Sequence, residues 1–264
     1  MPSLTENEIT QAAAQFLNAR LSSQPYPRIS DSHPEWDMAC AYQIQRAYVA
    51  LSTTAPRAAV VAGYKAALTT PATQKSMGID APVVGVLYAH GLHHATKAVA
   101  LHDIPKLLLE TELGFSLKIP VSSAIADASQ LPALIDSCQP MVELSQLGFG
   151  DAPPRGVDLV AANSASRGYI RVPACDWRTL DLNGLQVTLK RDGELLHGIA
   201  SGSVMEDQWQ ALRWLINQTV SLGYTIKAGQ LLMTGLIGGI HPARPGAHLA
   251  DFGAAGCIAF EIVD

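Results

Sequence analysis

The stretch KLLLETELGF, residues 106 to 115, sets two glutamates into an otherwise apolar run. Further on, PMVELSQLGF, residues 140 to 149, does the same with one. Side chains of a strand alternate between faces, so Glu110 and Glu112 share a face with Gly114, while Leu109, Thr111 and Leu113 take the other. Two like charges on one buried face cannot both stay ionised without compensation. A hard divalent cation compensates them, and oxygen donors are what Mg2+, Mn2+ or Ca2+ prefer. The competing reading is a half-exposed strand with a polar outer face. Glu143 shifts the balance, because a short helix between the two runs would let them pair side by side. Three carboxylates on adjacent strands fill one face of an octahedron and leave a net negative charge that welcomes a nearby cation. Lys65, at the end of the apolar run in VVAGYKAALTT, is such a cation; taken singly it reads as a snorkelling edge residue.

Around these runs the pattern is α+β. Thr5 and Glu8 read as a capping box opening a helix over residues 6 to 21, with Ile9, Ala13, Phe16 and Leu17 on its apolar face. A second helix is expected from about Glu35 to Leu51. RAAVVAGYK and PVVGVLY read as strands, and TPATQKSMGID as a short helix opening at Thr70-Pro71 and stopping at Gly78. SSAIADASQLPALIDSC reads as a helix leading into the strand that carries Glu143. LQVTLKRDGELLHGIA is a hairpin turning at Asp192-Gly193, and DQWQALRWLINQTVSLG is a helix stopped by Gly223. QLLMTGLIGGI and GCIAFEIV close the chain as β-like runs. Helices lead and strands dominate afterwards. The division is a small helical N-terminal section, residues 1–55, on a β-rich catalytic domain, residues 56–264, forming one unit.

The chain has 264 residues, 48% hydrophobic and 16% charged, the composition of a compact protein with ample core. A formal charge of −5 argues against nucleic acid or an anionic membrane as a partner. The N-terminus lacks a signal-peptide pattern and no apolar run reaches the roughly 18 residues that span a bilayer, so a soluble, cytoplasmic protein is expected. Cys40, Cys138, Cys175 and Cys257 show no metal-ligand spacing and read as reduced thiols. His90, His93 and His94 in HGLHHATK read as solvated loop residues rather than ligands. GLIGGIHPARPG lacks the spacing of a phosphate loop and reads as a turn near the site; Arg244 within it reads as exposed.

Together, GYKAALTTPATQKSMGIDAPVVGVLY, ETELGF, MVELSQLGF and NSASRGY resemble the fumarylacetoacetate hydrolase superfamily. The branch is that of 2-keto-4-pentenoate hydratases and 4-oxalocrotonate decarboxylases. The similarity runs from about residue 5 to the C-terminus. It implies a curved, mixed β-sheet core of β-roll type with peripheral helices, usually assembled as a homo-oligomer, and association with a pathway enzyme. It implies that Glu110, Glu112 and Glu143 hold Mg2+ or Mn2+, with Lys65 beside the substrate oxygens and Asp80 near the site as catalytic residues. Asn163, Ser164 and Thr234 are the implied substrate contacts. The implied activity is hydration of a 2-hydroxy-2,4-dienoate, a small 2-oxo acid in its keto form, through a metal-stabilised enolate. The same electron sink would serve decarboxylation of a 2-oxo-3-enedioate or C–C hydrolysis of an acylpyruvate, and a non-catalytic partner-binding relative is the reading from another class. Ala162 before Asn163, LSQLGFG after the third glutamate and Leu236 after Thr234-Gly235 depart from the family pattern where it borders the substrate.

Overall fold

The computed structural model describes residues 4–54 and 58–264. The expected boundary at residues 55 and 56 lies outside them. Helix α1 (Glu6–Leu21) opens on the capping box, with Glu8 N–H donating to Thr5 Oγ1 at 3.3 Å and Thr5 N–H to Glu8 Oε2 at 2.8 Å. After the short α2 (Ile29–Ser32), α3 spans Met38–Thr54. It starts later than expected because Asp37 Oδ1 accepts from Cys40 N–H at 3.1 Å, the bond of a helix-capping aspartate.

Next come β1 (Val61–Ala67), α4 (Pro71–Met77) and β2 (Val83–Tyr88). Gly78 ends α4 in the left-handed region, φ 67°, as its sequence predicts. Short strands β3 (Leu92–His93) and β4 (Val99–Ala100) lead to β5 (Leu108–Leu117). The helix expected after β5 is a single turn, α5 (Leu131–Leu134), and β6 already begins at Ile135 (Ile135–Ser145). Tertiary bonds hold the preceding segment extended: Ile125 N–H donates to Asn217 Oδ1 at 2.7 Å, and Ile125 O accepts from Arg213 and Asn217. Helix α6 (Gly156–Ala161) and β7 (Ser166–Arg171) follow. Then come β8 (Gln186–Arg191), β9 (Glu194–Ala200) and α7 (Gln208–Ser221). The chain ends in β10 (Leu231–Met233), β11 (Ile237–Pro242), β12 (Gly246–Asp251) and β13 (Cys257–Val263).

The larger sheet is mixed, in the order β2-β1-β10-β5-β6-β7-β3, with β11 also on β5. Strands β2 and β3 are near neighbours in the chain yet stand at opposite ends of that order, so the sheet curls until its edges meet. Side chains close the seam. Asn163 bonds both Val86 N–H (2.8 Å) and Val86 O (2.9 Å), Ser164 Oγ–H donates to Val84 O (2.8 Å), and Ser166 Oγ–H to Val86 O (2.9 Å). Outside the curl, Leu109, Leu113 and Phe115 join the main core, which also takes in residues of α1, α3 and the second sheet. Inside it sits a smaller apolar cluster of Leu87, Met141, Tyr169, Leu231 and Met233. A second sheet, β4-β13-β12-β8-β9, carries the expected hairpin, with Asp192 and Gly193 at φ 50° and 83° as a tight β8–β9 turn requires. Among the described residues no helix is long and apolar enough to cross a membrane.

Candidate metal centre

Strand alternation places Glu110 and Glu112 on the inner face of β5, and the antiparallel register pairs Glu110 directly with Glu143 of β6. Residues opposed in this way have Cβ atoms about 4.5–5.5 Å apart. One carboxylate oxygen from each of the three lies within 4.8 Å of the others. Glu112 and Glu143 are buried, at 0% and 1% exposure, while Glu110 is half-buried and marks the open side.

Lys65 reaches the same place from β1. Its register runs through Met233 of β10 to Gly114 of β5, and its ammonium, on a side chain 2% exposed, lies 2.6 Å from Glu143 Oε1. Gly85 stands opposite Lys65 on β2; a β-carbon there would lie 3.1 Å from Lys65 Cε. A glycine inside a strand marks such a close approach, so the Gly85 of VVGVL is a site residue that motif spacing alone does not single out.

Two further groups orient the carboxylates. Ser145 Oγ–H donates to Glu110 Oε1 at 2.7 Å, and Gly235 N–H to Glu112 Oε2 at 2.8 Å. The second bond exists because the expected run QLLMTGLIGGI breaks after β10 and resumes at β11, leaving Gly235 at φ 111° with its amide turned inward. Glu112 Oε1 and Glu143 Oε2 remain buried with no hydrogen-bond donor. Three carboxylates thus face one ammonium. Burial, with Glu143 and Glu110 adding, holds the Glu112 carboxyl well above its ordinary range. Burial also raises Glu143, against the pull of Lys65. Burial alone would lower Lys65, but Glu143 and Glu110 outweigh it and the ammonium stays charged. An all-oxygen donor set with orphaned buried oxygens fits a hard divalent cation.

The other expected site residues have their side chains engaged elsewhere or exposed, although the Asn163 carbonyl lies beside Gly85 and Thr234 adjoins Gly235. Asn163 and Ser164 spend their side chains on the seam with β2. Thr234 Oγ–H is engaged by Gln208 Oε1 at 2.7 Å and Leu113 O at 3.2 Å. Asp80 is exposed, lining a recess of about 550 Å³ with Met38, Tyr42 and Gln218. His90 stacks on Tyr88, and Arg244 is exposed. A cleft of about 590 Å³ beside Arg20, Tyr26 and Phe149 contains none of the three glutamates. Neither open cleft is therefore the centre, which lies buried inside the curl. Tyr169, the last residue of NSASRGY, pairs with Glu143 across β6 and β7 and joins the site through that register, a place its motif alone does not give.

No protein-family model matches the chain. It is 27% identical over 235 residues to a 2-keto-4-pentenoate hydratase of Burkholderia vietnamiensis, covering 88% of each chain. It is 26% identical over 250 residues to a 4-oxalocrotonate decarboxylase of a Pseudomonas species, covering 93% of each. The solved structure of 4-oxalocrotonate decarboxylase from Pseudomonas putida G7, complexed with magnesium and adipate, matches with a TM-score of 0.92 at 23% identity over 100% of both chains. A fumarylacetoacetate hydrolase family protein from Yersinia pestis matches with a TM-score of 0.60 at 16% identity, over 77% of this chain and 94% of that one. The chain is thus related to proteins named as hydratases and decarboxylases, and its fold is that of fumarylacetoacetate hydrolase family proteins.

Proposed function

We propose, with that kinship as premise, that the chain is a divalent-metal-dependent lyase adding water to a 2-hydroxy-2,4-dienoate of the 2-keto-4-pentenoate kind. The product is a 4-hydroxy-2-oxo acid. Glu110, Glu112 and Glu143 would hold Mg2+ or Mn2+, and the observation that carries this reading is their buried convergence beside Lys65, with carboxylate oxygens left unpaired. When bound, such a cation supplies Lewis-acid stabilisation of negative charge on a 2-oxo acid's oxygen.

The chain's own residues do the rest. With the carboxylates compensated, the Lys65 ammonium is released from Glu143 to donate to the substrate oxygen on which charge develops. Ser145 and Gly235 fix the orientation of Glu110 and Glu112. Met141, Met233 and Leu87 line the inside of the curl and exclude water, which strengthens each electrostatic contact there. Asn163 and Ser164 act by holding β2, and with it Gly85, against Lys65.

The second reading is 4-oxalocrotonate decarboxylation, supported by the relative of that name at 26% identity. Both reactions need the same electron sink, so products decide between them. Purified protein with Mg2+ or Mn2+ is incubated with a dienoate, an enedioate and an acylpyruvate. Water addition to the dienoate is the expected result. Release of carbon dioxide from the enedioate alone selects the second reading, and no turnover on any of the three overturns both.

A further inference from the structure

Two of the four cysteines, distant in sequence, meet at the far end of β6. Beyond β7 the chain pairs with β6 once more, at Cys138 and Cys175, where Cys175 N–H donates to Cys138 O at 2.9 Å. The Cys175 thiol also donates to that carbonyl, with Sγ 3.3 Å from the oxygen. Directly opposed residues of an antiparallel pair have Cα atoms about 4.5–5.5 Å apart, within the roughly 4.4–6.8 Å that a disulfide spans. Cys138 is buried and Cys175 is half-buried, so one thiol is reachable from solvent and the other is screened behind it. A hydrogen bond from the Cys138 side chain brings the Cys175 thiol down to about 7, whereas the hydrogen bond to Cys175 and burial push Cys138 up. An accessible thiol shifted toward ionisation, beside a screened thiol shifted away from it, is the arrangement of an attacking and a resolving cysteine.

We infer that Cys138 and Cys175 form a peroxide-reactive dithiol site that closes to a reversible disulfide. The Cys175 thiolate attacks hydrogen peroxide; the O–O bond breaks, Cys175 becomes a sulfenic acid, and the departing hydroxide takes a proton to become water. The Cys138 sulfur then attacks the Cys175 sulfur, the S–O bond breaks, and the hydroxyl leaves as a second water with the Cys138 proton. Two thiols lose two electrons and two protons in all, and one peroxide becomes two waters. The disulfide would join β6 to the segment after β7 without changing the register that sets Glu143 opposite Glu110.

The test uses the full chain. After exposure to a modest excess of hydrogen peroxide and blocking with an alkylating agent, the protein is digested with trypsin without reduction. Arg155, Arg167 and Arg171 separate the two cysteines, so a disulfide appears as one linked peptide pair about 2 Da lighter than its free halves. The expected result is that pair, abolished by dithiothreitol, with Cys40 still alkylatable after unfolding. In Cys138→Ser the expected product is a sulfenic acid on Cys175 that dimedone traps. Recovery of both Cys138 and Cys175 as alkylated thiols from the wild-type chain, while the exposed Cys257 is oxidised, overturns the inference. Because the linked pair is sought in the wild-type protein, a variant that fails to fold does not remove the test.

Discussion

Lys65 is held by charge as much as by packing. Burying an ammonium is costly unless a carboxylate meets it, and Glu143 does so at 2.6 Å. Lys65→Met is expected to lower kcat by about 10²–10³, the usual loss when one group stabilising a developing oxyanion is removed. Mn2+ affinity, read by calorimetry, should hold or tighten because the competing ammonium is gone. Glu112 carries the opposite strain. Its folded-state carboxyl lies well above the unfolded value near 4.5, so the stability it contributes is greatest at low pH and is lost as pH rises toward the folded value. At neutral pH Glu112→Gln should therefore raise the thermal midpoint of the metal-free protein while abolishing any further rise on adding Mn2+. On the other face of β5, Thr111 Oγ–H donates to Ile237 O, so His197 Nε2–H donates to Thr111 and His197 Nδ1 accepts from His241 at 2.8 Å. Burial, with His241 adding, lowers His197 to about 4. The sign is that of a depressed histidine: its stability is full above about 6.5 and is lost as pH falls toward about 4. In urea titrations over that range, His197→Gln should lose less stability than the wild-type chain. This histidine pair was invisible in sequence, since His197 and His241 meet only where β9 and β11 pack.

Strand register turns three scattered acids into one cluster. Parity alone placed Glu110 and Glu112 together, and the likeness of the second run suggested Glu143, so the carboxylates were legible in the sequence itself. The connector between them was not. Residues 122 to 138 carry a helical pattern, yet Ile125 is claimed by Asn217 and Arg213 of α7, partners no local window contains. The break between β10 and β11 was equally hidden, because Thr234-Gly235-Leu236 is apolar enough to read as strand and only its fold turns the Gly235 amide onto Glu112. Two glycines test the element that aims Lys65. A β-carbon at Gly63 would lie 2.0 Å from Leu231 O, so Gly63→Ala should force β1 off β10 and destabilise the protein by about 1–3 kcal/mol or more in denaturant titrations. Gly85→Ala meets the Lys65 side chain at 3.1 Å and the Asn163 carbonyl oxygen at 3.2 Å. It should displace the ammonium and lower kcat about tenfold, with a smaller loss of stability than Gly63→Ala.

At the scale of the whole molecule the α+β class was readable, since helices lead and strands follow. The curl came from the family resemblance and not from the residue pattern, because it depends on β2 and β3 ending at opposite edges of one sheet. Asn163 and Ser164, expected at the substrate, bond β2 across that seam, a role that a sequence does not separate from a ligand contact. The centre's carboxylates stand side by side on the paired strands β5 and β6, so a cation bound there ties the two strands together. Metal at a hundredfold excess over its Kd should stabilise the protein by about 2.7 kcal/mol. Glu143→Gln should show little of that stabilisation.

The most direct measurement is an anomalous-difference map from crystals grown with Mn2+. One strong peak is expected inside the curl, about 2.0–2.2 Å from an oxygen of each of Glu110, Glu112 and Glu143, with the Lys65 ammonium drawn away from Glu143. A map with no peak there, and Lys65 still paired to Glu143 at saturating Mn2+, would contradict the proposed metal centre.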